Sequence, residues 1–519
     1  MAKIKSFMTK TIFSPLVNFY SQRVQIIFLS IFLIINVALF LGAVPTIHDL
    51  HDVKPLHPTY AGASDGQRYW GVAKTLVNHG TFEYETVPGS LHPLRRGGPI
   101  TPLILSGLIK AVGFEDAPAY IVSFQCALLY IVGIFATSLA KPFRVDGRLV
   151  QGLTIFNPNL IGVAHHAQSE IIFLFFFICA LILIRNAMYY TAYALKSASL
   201  LGILSALCLL TRPASFPFFL FAIAFLVTFY CFECYRWRVG LFFQRIQRLG
   251  ISALVAVLVM SPWLIRNYNV FDTPLPVGSA TVLNGNLLKL EHAVYAAEDN
   301  ELQHRVNQKV TRAAILSDLN PCCLKGLHRW SYSTLDPEQL MCPDPLDQVH
   351  CPIGPRPELY FYLLSQYQLT DIASALTYAL VSTYLGAGVR NLTQYLSSHP
   401  IETSMLHSEF DGFTSYLKLL SVAAEQHHTY FLLLTLGLSF AGLCRLTLLL
   451  GIPLSFKTGN SQRQALFFLL TLVVFTLSFM FEATSRFRVP LEPLLALYSG
   501  IGFSRLHQLV YRKRSIHQR

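Results

Sequence analysis

Apolar residues in this chain come in runs of about 20, separated by short polar connections and by two long polar stretches. A run of that length crosses a hydrocarbon core as a helix, because a helix satisfies its backbone groups internally and an open strand does not. The pattern predicts ten such helices, at 24–44, 118–140, 149–167, 169–187, 197–211, 213–232, 249–267, 427–447, 464–483 and 489–508. Arg212-Pro213 separates the fifth from the sixth, and the two read equally as one broken hairpin. The first run lacks a small-residue cleavage site and reads as a retained helix. The expected fold is an all-α integral membrane bundle.

Two long segments interrupt the runs, Pro45 to about Ala117 and Tyr268 to His427. Each carries a shorter apolar stretch, 99–113 and 372–389, expected to lie along the membrane surface as an interfacial helix. Three parts follow. Residues 1–267 form an amino-terminal transmembrane module whose first external loop is 45–117. Residues 268–426 form a non-cytoplasmic loop domain, and 427–519 hold the last helices and a basic tail.

Charge fixes the orientation. The chain has 40 Lys and Arg against 28 Asp and Glu, a net charge of +12, yet only 13% of its residues are charged. A soluble domain carries about 25%. The basic residues cluster at the amino terminus (Lys3, Lys5, Lys10), at 141–148, 233–248 and 445–463, and in the tail. With ten spans, all five clusters fall on one side, which the positive-inside rule makes cytoplasmic together with both termini. The excess charge therefore reads as membrane orientation, and nucleic acid is excluded as a partner. Arg185, Arg445 and Arg505 read as ordinary cytoplasmic flank residues.

Ten cysteines form two sets. Cys126, Cys179, Cys208, Cys231, Cys234 and Cys444 lie in or beside apolar runs and read as small core hydrophobes. Cys322, Cys323, Cys342 and Cys351 share the second long segment. They are candidates for two disulfides in an oxidising compartment, with a zinc site as the alternative. The aromatic runs 175–177 and 218–219 read as lipid-facing.

Candidate chemistry lies in the charges that break the orientation rule. Asp65, Arg68, Arg95, Arg96, Glu170, Arg212, Arg266, Arg486 and Arg488 all fall on the non-cytoplasmic side. Charges at such positions are costly and are kept where they act. Guanidinium groups bind phosphate bidentately, so an arginine-rich cavity at headgroup level suits a lipid-linked phosphate. Asp65 suits a general base, and equally a cap for a helix starting at Gly66. Arg486 and Arg488 read either as site residues or as snorkelling anchors.

Several stretches, in order, resemble the membrane glycosyltransferases of the GT-C fold. The likeness is to family 39, which includes protein O-mannosyltransferases and the aminoarabinose transferase that modifies lipid A. They are Asp65-x-x-Arg68-Tyr69; Arg95-Arg96 before Pro99 and Pro102; Asn157-Pro158 before Gln168-Ser169-Glu170; Leu209-Leu210-Thr211-Arg212-Pro213; Ser261 to Tyr268; and Arg486 to Pro493. The first motif is commonly Asp-Glu, and this chain has Gly66 in the second place. The resemblance implies a GT-C bundle of about ten helices and a polyprenyl-phosphate sugar donor. It leaves open a lipid, glycan or protein acceptor. It implies that Asp65 is the catalytic acid-base, and that Arg68, Arg95, Arg96, Arg266, Arg486 and Arg488 hold the donor phosphate. Tyr69, His165, His166, Glu170 and Arg212 would line the cavity. Family members differ in metal dependence. The two histidines are open to a divalent ion, to proton transfer or to a plain interfacial role. A bacterial inner membrane is the expected location. The alternative reading is a transporter or flippase for lipid-linked sugars or an anionic lipid.

Overall fold

The computed structural model describes residues 22–48, 64–87, 90–94, 97–189, 195–236, 239–271, 428–457, 461–478 and 485–517, with isolated positions between 373 and 421. Most of the 268–426 loop domain, Arg95, Arg96 and the cysteines Cys322, Cys323, Cys342 and Cys351 lie outside the described residues.

The helices in chain order are α1 (Gln22–His48), α2 (Ser64–His79), α3 (Ile100–Val112), α4 (Ala117–Ala140), α5 (Gly147–Ile155), α6 (Pro158–Ala164) and α7 (Glu170–Tyr189). They continue as α8 (Leu195–Thr211), α9 (Phe216–Arg236), α10 (Val239–Phe271), α11 (His428–Ser455), α12 (Gln462–Ser478) and α13 (Glu492–His517). One antiparallel hairpin, β1 (Glu83–Val87) with β2 (Ser90–Pro93), sits between α2 and α3. The all-helical expectation holds apart from this hairpin.

The chain is a multi-pass integral membrane protein. Among the described residues five helices are long and apolar enough to cross a membrane: Ala117–Phe143, Glu170–Met188, Pro213–Phe232, Leu241–Phe271 and Phe431–Ser455. Arg23–Leu39, Leu195–Thr211 and Gln462–Ser478 are apolar but shorter. Ten crossings remain the expectation of the charge pattern.

Four sequence expectations are corrected. The run 149–167 is two helices, α5 and α6, broken at Asn157-Pro158. Asn157 turns extended there, and its side chain accepts from Asn159 N at 3.0 Å and Leu160 N at 3.4 Å, while Pro158 starts α6. That is an Asn cap followed by proline at the first helical position. Second, Arg445 is no cytoplasmic flank residue. The helix that carries it runs on to Ser455, ten residues further, so Arg445 sits about 15 Å inside its end. Third, Phe177, Phe218 and Phe219 face inward, while Phe175 and Phe176 are half-buried. Phe177 and Phe218 are fully buried, in T-shaped contact at 4.9 Å, and both meet Phe475. The reason is that α7 is the central helix, covered along most of its length by its neighbours. Fourth, Cys231 is exposed, whereas Cys126, Cys179, Cys208 and Cys444 are buried as expected.

Helix packing in lipid relies on close approach and interhelical hydrogen bonds instead of a hydrophobic drive. Both appear here. A methyl group added at Gly451 would overlap the Tyr498 carbonyl, and one at Gly502 the Thr447 carbonyl, so α11 and α13 touch backbone to backbone. Gly202 plays the same part against Ser252 of α10, whose hydroxyl donates to Ala198 O of α8 at 2.7 Å. α1 joins the bundle through polar groups. Gln25 donates to Gln151 Oε1 at 2.9 Å, Gln151 returns a bond at 3.1 Å, and the Tyr130 hydroxyl donates to Gln25 O at 3.2 Å.

Candidate functional site

The site is built around the turn between α6 and α7. Asn157 starts α6, the helix lasts two turns, and the chain then folds sharply through His165 to Ser169 before α7 begins at Glu170. His165 N donates to Gly162 O at 3.3 Å, His166 N to Val163 O at 3.2 Å, and Gln168 N to His166 O at 2.7 Å. The His165 ring nitrogen Nδ1 meets Ile161 O at 2.9 Å. The Gln125 amide of α4 donates to His166 O at 2.7 Å and holds the turn from behind. His165, His166, Gln168, Ser169 and Glu170 are all buried. So many buried polar groups in one turn are costly in an apolar interior and mark a position kept for its polarity.

Glu170 pairs with Arg212. The Arg212 guanidinium lies 2.9 Å from Glu170 Oε1, with the carboxylate fully buried and the arginine side chain 12% exposed. Arg212 follows the last residue of α8 in extended backbone; its N–H donates to Cys208 O at 2.8 Å, and Ser215 Oγ donates to its carbonyl at 2.8 Å. Pro213 cannot continue α8, which places the guanidinium at the helix end.

The first external loop packs onto this pair. Gly98 approaches the Leu210 carbonyl so closely that no side chain fits, two residues before Arg212. Gly97, at φ +88°, lies against the Tyr69 ring and hydroxyl. Tyr69 is buried in an apolar cluster with Leu105 of α3, Ile121 of α4 and Ala167 of the turn. Asp65, the second residue of α2, lies one helical turn before Tyr69, and the helix includes it instead of starting at Gly66. Asp65 and Arg486 are placed in backbone only, since their side chains fall outside the described residues. Arg68 lies over the Tyr84 ring of β1, 6.0 Å from its centroid.

Two of the expected phosphate-binding arginines are engaged elsewhere. Arg266 donates to Leu94 O at 3.0 Å and Phe82 O at 3.2 Å, at the two ends of the hairpin, and stacks over Trp263 at 4.7 Å. It ties the hairpin to α10. Arg488 pairs with Glu492, one turn on, and its Nη1 donates to Thr383 O at 2.7 Å, Tyr384 O at 3.2 Å and Gly386 O at 2.8 Å. Arg445 reaches the same carboxylate at 3.5 Å and donates to Tyr384 O at 3.1 Å. Asn159 of α6 donates to Glu492 Oε1 at 3.4 Å. Asn159 and His165 lie six residues apart, about 9 Å along α6, so this second charge cluster sits at one end of the short helix and the Glu170 turn at the other.

Sequence reasoning missed Glu492, Asn159 and the hairpin. The four-residue spacing of Arg488 and Glu492 was a readable signal for a helical ion pair. The Asn-Pro dipeptide was one for the helix break. Among the described residues no group of three His, Cys, Asp or Glu comes together as a metal site, so His165 and His166 gain no further ligand there.

The fold and this site define a polytopic α-helical membrane protein with a buried ionic turn facing its first external loop. No family model matches the chain. No curated protein matches it either. Solved structures that resemble it include the oligosaccharyltransferase AglB of Archaeoglobus fulgidus with an inhibitory peptide and a dolichol-phosphate, at 12% identity over 87% of this chain and 47% of that one, TM-score 0.42. The apo oligosaccharyltransferase of the same organism matches at 12% identity over 93% of this chain and 52% of that one, TM-score 0.43. ArnT from Cupriavidus metallidurans bound to undecaprenyl phosphate matches at 14% identity over 92% of this chain and 78% of that one, TM-score 0.33. This chain spans about half the length of the two archaeal proteins.

Proposed function

We propose that this chain is a membrane glycosyltransferase of the GT-C kind. It takes a sugar from a polyprenyl phosphate and transfers it, with inversion, to an acceptor hydroxyl or phosphate at the non-cytoplasmic face. The observation that carries the reading is the buried Glu170–Arg212 pair, met by the α2 end that holds Asp65, Arg68 and Tyr69. An acid on α2 together with arginines of the first external loop suits displacement of a phosphate leaving group.

In this reading Asp65 takes the acceptor proton as the acceptor oxygen bonds to the anomeric carbon. The bond from that carbon to the phosphate oxygen breaks, and its electron pair leaves with the lipid phosphate. Arg68, Arg95, Arg96 and Arg486 stabilise the charge gathering there. Arg266 and Arg488 act as struts that hold the hairpin and residues 383–386 around the site, a role suggested by their carbonyl bonds. The donor reaches the site sideways from the bilayer.

A second reading, a flippase for lipid-linked sugars, draws support from the helix break at Asn157-Pro158 and from Arg445 and Glu492 within the bundle. Reconstituted protein given radiolabelled polyprenyl-phosphate sugar separates the two. New glycosylated product with release of polyprenyl phosphate supports transfer. Movement of intact label between leaflets without product refutes it.

A further inference from the structure

Among the described residues, three buried side-chain oxygens have no hydrogen-bond partner: Gln168 Oε1, Gln125 Oε1 and Thr101 Oγ1. Their residues are 2%, 0% and 1% exposed. The Gln125 amide nitrogen already donates to His166 O at 2.7 Å, which fixes the amide and leaves its oxygen as an acceptor. Gln168 stands between His166 and Glu170 in the turn itself. Thr101 lies one turn after Gly97, which abuts Tyr69, and one turn before Leu105, which shares the apolar cluster of Tyr69 and Ala167. The three residues thus flank the turn: Gln125 from α4 through its bond to His166, Gln168 within the turn, and Thr101 of α3 through its neighbours Gly97 and Leu105.

Buried acceptors are almost always paired with protein, water or ligand, and in a membrane protein interior an orphan is more costly still. The two glutamine oxygens need partners that bring O–H or N–H groups, and the Thr101 hydroxyl can donate as well as accept. A prenyl chain has none, and an ionised phosphate brings only further acceptors. A sugar ring brings several O–H groups on one rigid frame. We propose that Gln168, Gln125 and Thr101 form a subsite for the hydroxyl groups of the donor's sugar, separate from the guanidiniums that take its phosphate. The inference rests on the transferase reading above and names the part of the donor that this side of the site reads.

The test uses full-length protein in nanodiscs with tritiated undecaprenyl phosphate, bare or carrying a hexose, a pentose or an aminopentose. One loaded lipid binds the native protein at least about tenfold tighter than the bare lipid, the size of one good hydrogen bond. Gln168→Leu and Thr101→Val each remove about that tenfold preference and leave bare-lipid binding unchanged, while Thr101→Ser keeps it. Without lipid, both apolar variants melt at or above the native temperature, because each removes an orphan oxygen. Equal binding of bare and loaded lipids overturns the subsite and leaves the donor reading standing. Failure of every lipid phosphate to bind overturns both. Variants that melt lower yet keep the preference show that these oxygens serve the fold, and also overturn the subsite.

Discussion

Two buried charge clusters lie at the ends of one short helix, and they are built differently. At the far end of α6, Glu492 is shared by Arg488 and Arg445, and both arginines also grip main-chain carbonyls of residues 383–386. At the near end, Glu170 pairs with Arg212, whose side chain is 12% exposed, and among the described residues the oxygens of Gln125, Gln168 and Thr101 have no partner. The first cluster spends its donors on its own chain. The second adjoins glutamine amides whose oxygens have no partner among the described residues. A charge that closes on the protein's own backbone holds a fold together, whereas in the reading proposed above a charge beside buried amide oxygens serves a ligand.

The comparison breaks most easily at Glu492. Removing a carboxylate that serves two buried guanidiniums leaves them uncompensated, so Glu492→Ala costs about 3–5 kcal/mol. Thermal unfolding in detergent, or loss of folded yield, reads this directly. Glu170→Gln is the matching change at the other end. Its partner is partly exposed, so the stability loss is about half as large, while transfer falls by about a hundredfold or more. A Glu170→Gln protein that melts as low as Glu492→Ala yet transfers normally would erase the distinction. Arg266→Ala comes next. It removes two bonds to the hairpin, costs about 1–3 kcal/mol and loosens the first external loop, seen as faster proteolysis between Phe82 and Leu94. Gln151→Leu at the α1 seam is the smallest, about 0.6–1 kcal/mol with unchanged transfer, read from melting and activity on one preparation.

The helical framework was legible because lipid leaves an apolar run few alternatives. The breaks and the burial were not read from that pattern. Asn157-Pro158 sits inside a stretch apolar enough on average to read as one helix, so hydropathy alone passed over it, although the dipeptide itself signals a turn. Arg445 looked like a loop residue because α11 runs well beyond one bilayer's apolar length. The phenylalanines of α7 looked lipid-facing because an apolar helix gives no sign of whether its neighbours are lipid or protein. Glu170 and Arg212 were singled out as isolated charges in apolar surroundings, and they do meet. Arg266 and Arg488 were singled out by the same logic, but their bonds to backbone carbonyls depend on long-range partners that spacing along the chain does not reveal.

The measurement that bears most directly on the account is sugar transfer by Asp65→Asn at an amount of folded protein equal to the native form. If Asp65 is the base beside the Glu170–Arg212 turn, transfer drops by about a hundredfold or more while melting temperature and lipid-phosphate binding stay native. Transfer at the native rate by that variant would contradict it.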